Sequence, residues 1–105
     1  MIPAIAQDAD SKDVLMLAWM NADAVRATLS SSEVTYWSRS RQALWKKGET
    51  SGHVQQLKAF HFDCDRDAIV MKVNQSGPAC HTNRPNCFYY EVKGDEIVII
   101  SEPIE

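Results

Sequence analysis

The chain has 105 residues, 45% hydrophobic and 24% charged, with a formal net charge of −3. One domain spanning residues 1–105 is expected, since domains run to roughly 100–200 residues. The acidic balance argues against a surface that tracks nucleic acid, and no apolar run approaches the roughly 20 residues of a membrane helix, so neither partner is expected.

Ile2–Ala6 and Val14–Met20 are apolar runs flanking Asp8-Ala9-Asp10-Ser11-Lys12-Asp13, which predicts a hairpin. Asn21 suits the cap of a short helix over Ala22–Leu29, where Ala24, Val25, Thr28 and Leu29 recur at helical spacing. Glu33–Ser38 is β-prone through Val34, Tyr36 and Trp37. Residues 38–53 mix basic side chains, hydroxyls and two glycines and read mostly as loop. Leu57–Cys64 and Ala68–Gln75 are strand candidates joined tightly through Asp65-Arg66-Asp67. Ser76–Asn86, with Gly77, Pro78 and Pro85, reads as loop. Phe88–Val92 and Glu96–Ile100 flank Lys93-Gly94-Asp95 as a last hairpin. The class is α+β, mainly antiparallel sheet with one short helix in the N-terminal half. Trp19, Trp37 and Trp45 read as core.

The chemistry concentrates late in the chain. All three cysteines, Cys64, Cys80 and Cys87, fall within 24 positions. The opening residues carry no basic start, so no export signal is read there. A reducing, cytoplasmic setting is expected, where disulfides are rare and thiolate ligands favoured. Three thiolates plus one water suit catalytic zinc, because an open fourth position lets water bind and lose a proton near neutral pH. His81 adjoins Cys80. It reads as a proton carrier, the alternative being a fourth ligand that would close the site.

Asp63, Asp65 and Asp67 alternate with Cys64. In extended chain the three carboxylates share one face and the thiol takes the other, separating an oxygen site for magnesium from a sulfur site, whereas a turn at Asp65 would break that geometry. Three carboxylates so close repel one another unless a cation lies among them. Arg39, Arg41, Lys46 and Lys47, interleaved with Ser38, Ser40, Gly48, Thr50, Ser51 and Gly52, read as a phosphate cradle. His53 and His61 read as ordinary hydrogen-bonded side chains. Competing readings are a closed, zinc-stabilised binding module and a thiol redox protein. Three cysteines without a Cys-x-x-Cys pair count against both.

Together these pieces resemble the phosphoribosyl-AMP cyclohydrolase family of histidine biosynthesis, in its stand-alone form. The matching segments are Val14–Asn21, Ser38–Arg41, Leu44–Gly52, Asp63–Asp67, Gly77–Thr82 and Cys87–Tyr89. The resemblance implies an intertwined homodimer. Zinc would be held by Cys64 of one subunit with Cys80 and Cys87 of its partner, and magnesium at Asp63, Asp65 and Asp67. It implies hydrolysis of the N1–C6 bond of the adenine ring of phosphoribosyl-AMP, with zinc-bound hydroxide as nucleophile and His81 as catalytic residue. Ser38, Arg39, Ser40, Arg41, Lys47, Gly48, Thr50 and Ser51 would bind substrate. Asn83 stands where the family often has glycine.

Overall fold

The computed structural model describes residues 1–105. Its elements, in chain order, are β1 (Ile2–Asp8), β2 (Val14–Met20), α1 (Ala22–Ser31), β3 (Thr35–Ser38), β4 (Ala43–Lys46), β5 (Gln55–Phe62), β6 (Ile69–Gln75), β7 (Tyr90–Lys93) and β8 (Glu96–Ile99). The expected α+β class holds. Four strands form one sheet in the order β2-β1-β6-β5, while β3-β4 and β7-β8 are separate two-stranded ribbons. Every pairing is antiparallel except β1 with β6, which is parallel.

Local chemistry accounts for the first hairpin and the helix. Asp8 turns the chain by accepting the N–H groups of Asp10 and Ser11, both at 2.9 Å. The Asn21 side chain accepts Ala24 N–H at 2.9 Å and so satisfies one of the helix's free amino-terminal donors. The helix ends where Ser32, at φ 61°, donates its N–H to the Thr28 carbonyl.

One sheet face builds the core. Ala4 and Ala6 of β1, Met16 and Met20 of β2, and Ile69, Met71 and Val73 of β6 are buried against Ala24 of the helix and Val34 and Tyr36 of the next strand. The period-two burial of Ile69–Val73 follows from alternation along a half-covered strand. The opposite face is poorly covered: Leu17 and Trp19 are 45% and 42% exposed. Trp19 is therefore not core, contrary to expectation, while Trp37 and Trp45 pack at its edge.

Several element limits differ from expectation, and three stand out. Residues 38–53 are mostly loop, as expected, but Ala43–Lys46 within them forms the unforeseen strand β4. Its Trp45 lies opposite Tyr36, ring centroids 4.9 Å apart. The surrounding charge conceals this short β-prone run. Second, β5 stops at Phe62 rather than Cys64. The Asp63 carboxylate accepts Asp67 N–H at 3.0 Å and Ala68 N–H at 3.3 Å, which closes a turn. Third, β7 starts two residues later than Phe88.

The β7–β8 ribbon carries Tyr90 opposite Ile99 and Val92 opposite Ile97 on one face. All four are more than half exposed. Only 18 of 105 residues are buried, while large apolar side chains lie open on the sheet and on this ribbon.

Candidate active site

Four loops carry the candidate side chains. The first joins β3 to β4. Ser38 Oγ accepts Arg41 N–H at 3.3 Å and lies 3.3 Å from Ser40 Oγ. Gln42 folds back, its amide donating to the Arg39 carbonyl at 2.7 Å. Arg39 and Arg41 are exposed and make no ion pair. Lys46, by contrast, is committed to Glu33 at 2.8 Å, so one cation of the expected cradle already has a partner.

The second loop, residues 47–53, folds tightly on itself. Gly52 N–H donates to the Gly48 carbonyl at 2.8 Å, and His53 N–H donates to Ser51 Oγ at 3.2 Å. Gly48 has φ +83°, and a Cβ there would lie 2.5 Å from the His53 carbonyl carbon and the Val54 nitrogen. Only glycine fits that approach. Thr50 and Ser51 stay exposed. Lys47 is half-buried, and burial lowers its pKa, an effect opposed by the charges of Cys87 and Cys80. Its charge is thus coupled to both thiols, a link that spacing alone did not reveal.

The third loop holds the carboxylates. Ligand oxygens of Asp63, Asp65 and Asp67 lie within 4.8 Å of one another. The expected route to that cluster fails, since the segment is a turn and Arg66 has φ 62°. Nor does Cys64 point away from the carboxylates: its Sγ donates to Asp65 Oδ1 at 3.1 Å. The turn does what alternation was expected to do, because Asp63 gathers the N–H groups of Asp67 and Ala68 around itself. Desolvation would raise the Asp63 pKa, but these N–H bonds outweigh it and hold the carboxylate below its ordinary range. An open set of three oxygen donors fits a hard divalent cation.

The fourth loop carries Cys80, His81 and Cys87. Cys80 is buried, Cys87 half-buried and His81 exposed. The two thiols are near enough for each to shift the other's titration. Burial alone would raise the Cys80 pKa. Hydrogen bonds from the Thr82 hydroxyl, at 3.1 Å, from the Thr82 backbone and from Cys87, together with the Lys47 charge, lower it overall. Burial and the neighbouring Cys80 charge push Cys87 up to about 11. Tyr36, fully buried nearby, has its phenol raised by burial first and by the Cys87 charge second.

Within one chain the three sulfurs do not converge: the carboxylate trio is the only such cluster of three or more His, Cys, Asp or Glu groups. Cys80 and Cys87 fit two positions of a thiolate metal set, while Cys64 stands exposed on the carboxylate turn. Sequence reasoning missed Thr82, although a hydroxyl two residues after a cysteine is a recognisable local donor. Asn83 has φ 65°, which explains why glycine or asparagine suits that position.

Residues 16–89 match the family model described as phosphoribosyl-AMP cyclohydrolase. A protein of that name from Paracoccus denitrificans is 62% identical over 102 residues, covering 96% of this chain and 84% of the relative. Another from Ruegeria pomeroyi is 61% identical over 104 residues, 99% of this chain and 87% of the relative. A third, from Dinoroseobacter shibae, is 59% identical over the same length. These likenesses define the class as a small hydrolase. The chain belongs to the phosphoribosyl-AMP cyclohydrolase family and is an enzyme of it.

Proposed function

We propose that the protein hydrolyses the N1–C6 bond of the adenine ring of phosphoribosyl-AMP, a ring-opening step of histidine biosynthesis, in the cytoplasm. The observation that carries this reading is the loop presenting exposed His81 between a buried and a half-buried thiol, in a chain of this family. A water oxygen bonds to C6, the N1–C6 bond breaks, and its electron pair stays on N1, which takes a proton. The exocyclic nitrogen is retained, so no ammonia leaves.

Cys80 and Cys87 of one chain, with Cys64 of a second, would hold zinc. When bound, zinc supplies the Lewis acidity that makes water nucleophilic near neutral pH. Asp63, Asp65 and Asp67 would hold magnesium, whose charge balances substrate phosphate. His81 moves a proton from the attacking water towards N1. Arg39 and Arg41 present free guanidinium groups to a phosphate, and Ser38, Ser40, Thr50 and Ser51 offer hydroxyls around it. The Gly48 bend closes the 47–53 loop that carries Thr50 and Ser51, and Lys47 of the same loop interacts through its charge with Cys80 and Cys87.

A homodimer is part of this proposal. Its support is twofold: Cys64 stands apart from the thiol pair within a chain, and the ribbon face of Tyr90, Val92, Ile97 and Ile99 lacks a cover. Two-stranded ribbons are marginal alone, so a partner surface would stabilise it.

The test is an ultraviolet assay of ring opening with purified protein, before and after chelation. Activity that is lost on chelation and restored by zinc and magnesium is expected. His81→Ala should lower turnover by about 10²–10⁴ with zinc content unchanged. An intact ring after prolonged incubation with both metals would sink the reading.

A further inference from the structure

The final six residues form no helix or strand, yet they are tied to the thiol loop at several points. Ile100 N–H donates to the Tyr89 carbonyl at 2.9 Å, and Ile104 N–H to the Asn83 carbonyl at 2.8 Å. Arg84 Nε donates to the Ser101 carbonyl at 2.7 Å, and its guanidinium lies over the Tyr89 ring, 4.2 Å from the centroid. Asn83 Nδ2 reaches the Glu105 carbonyl at 3.5 Å. Beyond that, Glu105 Oε1 meets His53 Nε2 at 3.2 Å, and its other oxygen lies close to Gly77.

These contacts fall in a pattern. Asn83 and Arg84 lie between Cys80 and Cys87. His53 ends the phosphate-loop candidate, and Gly77 opens the thiol loop. The segment buries little apolar surface, with Ile100 54% and Ile104 58% exposed. Hydrophobic burial is therefore not what holds it, and the polar ties must offset the entropy of ordering it. Its partners include the one left-handed non-glycine residue of the loop, Asn83, whose carbonyl has Ile104 N–H as donor.

We propose that Ile100–Glu105 is a positioning strap. Through Asn83 and Arg84 it fixes the stretch of backbone that spaces the two thiols, and through Glu105 it holds that loop against His53. Its effect on turnover rests on the function proposed above; its restraint on the thiols does not.

The strap predicts a selective change in thiol chemistry. In full-length, metal-free, reduced protein, each cysteine's labelling rate with an aromatic disulfide reagent is followed by mass spectrometry. Ile104→Pro removes the N–H donated to Asn83 and is expected to accelerate Cys80 and Cys87 by about tenfold through local opening. Cys64, exposed on another turn, should keep its rate. Ile104→Leu retains the N–H and should label as the parent does. In the metal-loaded enzyme the proline variant should lose about tenfold in kcat with KM within twofold, as expected when reacting groups are displaced rather than removed.

Unchanged rates at Cys80 and Cys87 would overturn the strap. So would equal acceleration of all three cysteines, which marks general loosening, or acceleration by Ile104→Leu as large as by proline. A selective labelling change in a protein that opens no ring would retain the strap and discard the proposed reaction.

Discussion

The Tyr36 hydroxyl donates to Gln55 Oε1 at 2.7 Å, with both residues wholly shielded from solvent. This bond ties β3 to β5 beneath the thiol loop. Gln55 Nε2 has no partner in the chain, so the glutamine is already only partly satisfied. Tyr36→Phe would leave the buried Oε1 unpaired as well. A loss of about 1–3 kcal/mol is expected, the penalty for one unsatisfied buried polar group. Urea unfolding checks it, and a midpoint equal to the parent's would show that Gln55 re-pairs.

Gly48 and Gly52 provide a matched comparison. Both have positive φ, but a Cβ at Gly48 meets backbone at 2.5 Å whereas one at Gly52 meets nothing within 4 Å. Gly52→Ala should lose about 1 kcal/mol, the cost of left-handed backbone alone. Gly48→Ala should lose distinctly more, because His53 and Val54 must move. Thermal melts of the two variants measure the difference, and equal losses would contradict the close approach.

Acid should reveal Asp8. Hydrogen bonds from the Ser11 and then the Asp10 backbone lower its pKa below 3.8. A carboxylate with a depressed folded-state pKa stabilises above its unfolded value, and that contribution is lost as pH falls through the folded value. The loss therefore lies below about pH 4. Asp8→Asn can still accept the two N–H groups but does not titrate. Its unfolding midpoint should fall less than the parent's on acidification, and parallel curves would refute the assignment.

If the β7–β8 ribbon is covered by a second chain, charge placed on its apolar face should loosen the pair. Val92 is 71% and Ile97 69% exposed in the single chain, so neither substitution disturbs an internal core. Val92→Asp is expected to raise the dimer dissociation constant by at least about tenfold, read by sedimentation across concentration, since a buried unpaired charge is costly. Parent protein that sediments as one chain at every concentration would remove the basis of this expectation.

Features encoded by neighbouring residues were legible in the sequence. Asn21 announced the helix start, Asp8–Asp13 the first turn and Lys93-Gly94-Asp95 the last. The short β4 was hidden because Arg41, Lys46 and Lys47 outweigh Ala43-Leu44-Trp45 in composition. Only pairing with Tyr36 and Trp37 makes it a strand. The parallel register of β1 on β6 joins residues more than sixty positions apart, which no local pattern reports. At the site, residue types could be read but their arrangement could not. The carboxylates were expected on a strand face and are gathered instead by a turn that Asp63 caps itself. Lys47 was read with the phosphate loop alone, yet it is half-buried and its charge interacts with both sulfurs.

The central position of β1 shapes how this molecule is made. Strand β1 lies between β2 and β6, so one of its edges is matched by its immediate successor and the other by a segment beginning at Ile69. A nascent chain leaving the ribosome therefore completes its first hairpin early, then carries that hairpin with an unpaired edge until Ile69–Gln75 has been made. Such non-local pairing is slow and open to misassociation. Chaperone capture should be concentrated in the interval before Ile69–Gln75 emerges and should fall away once it does.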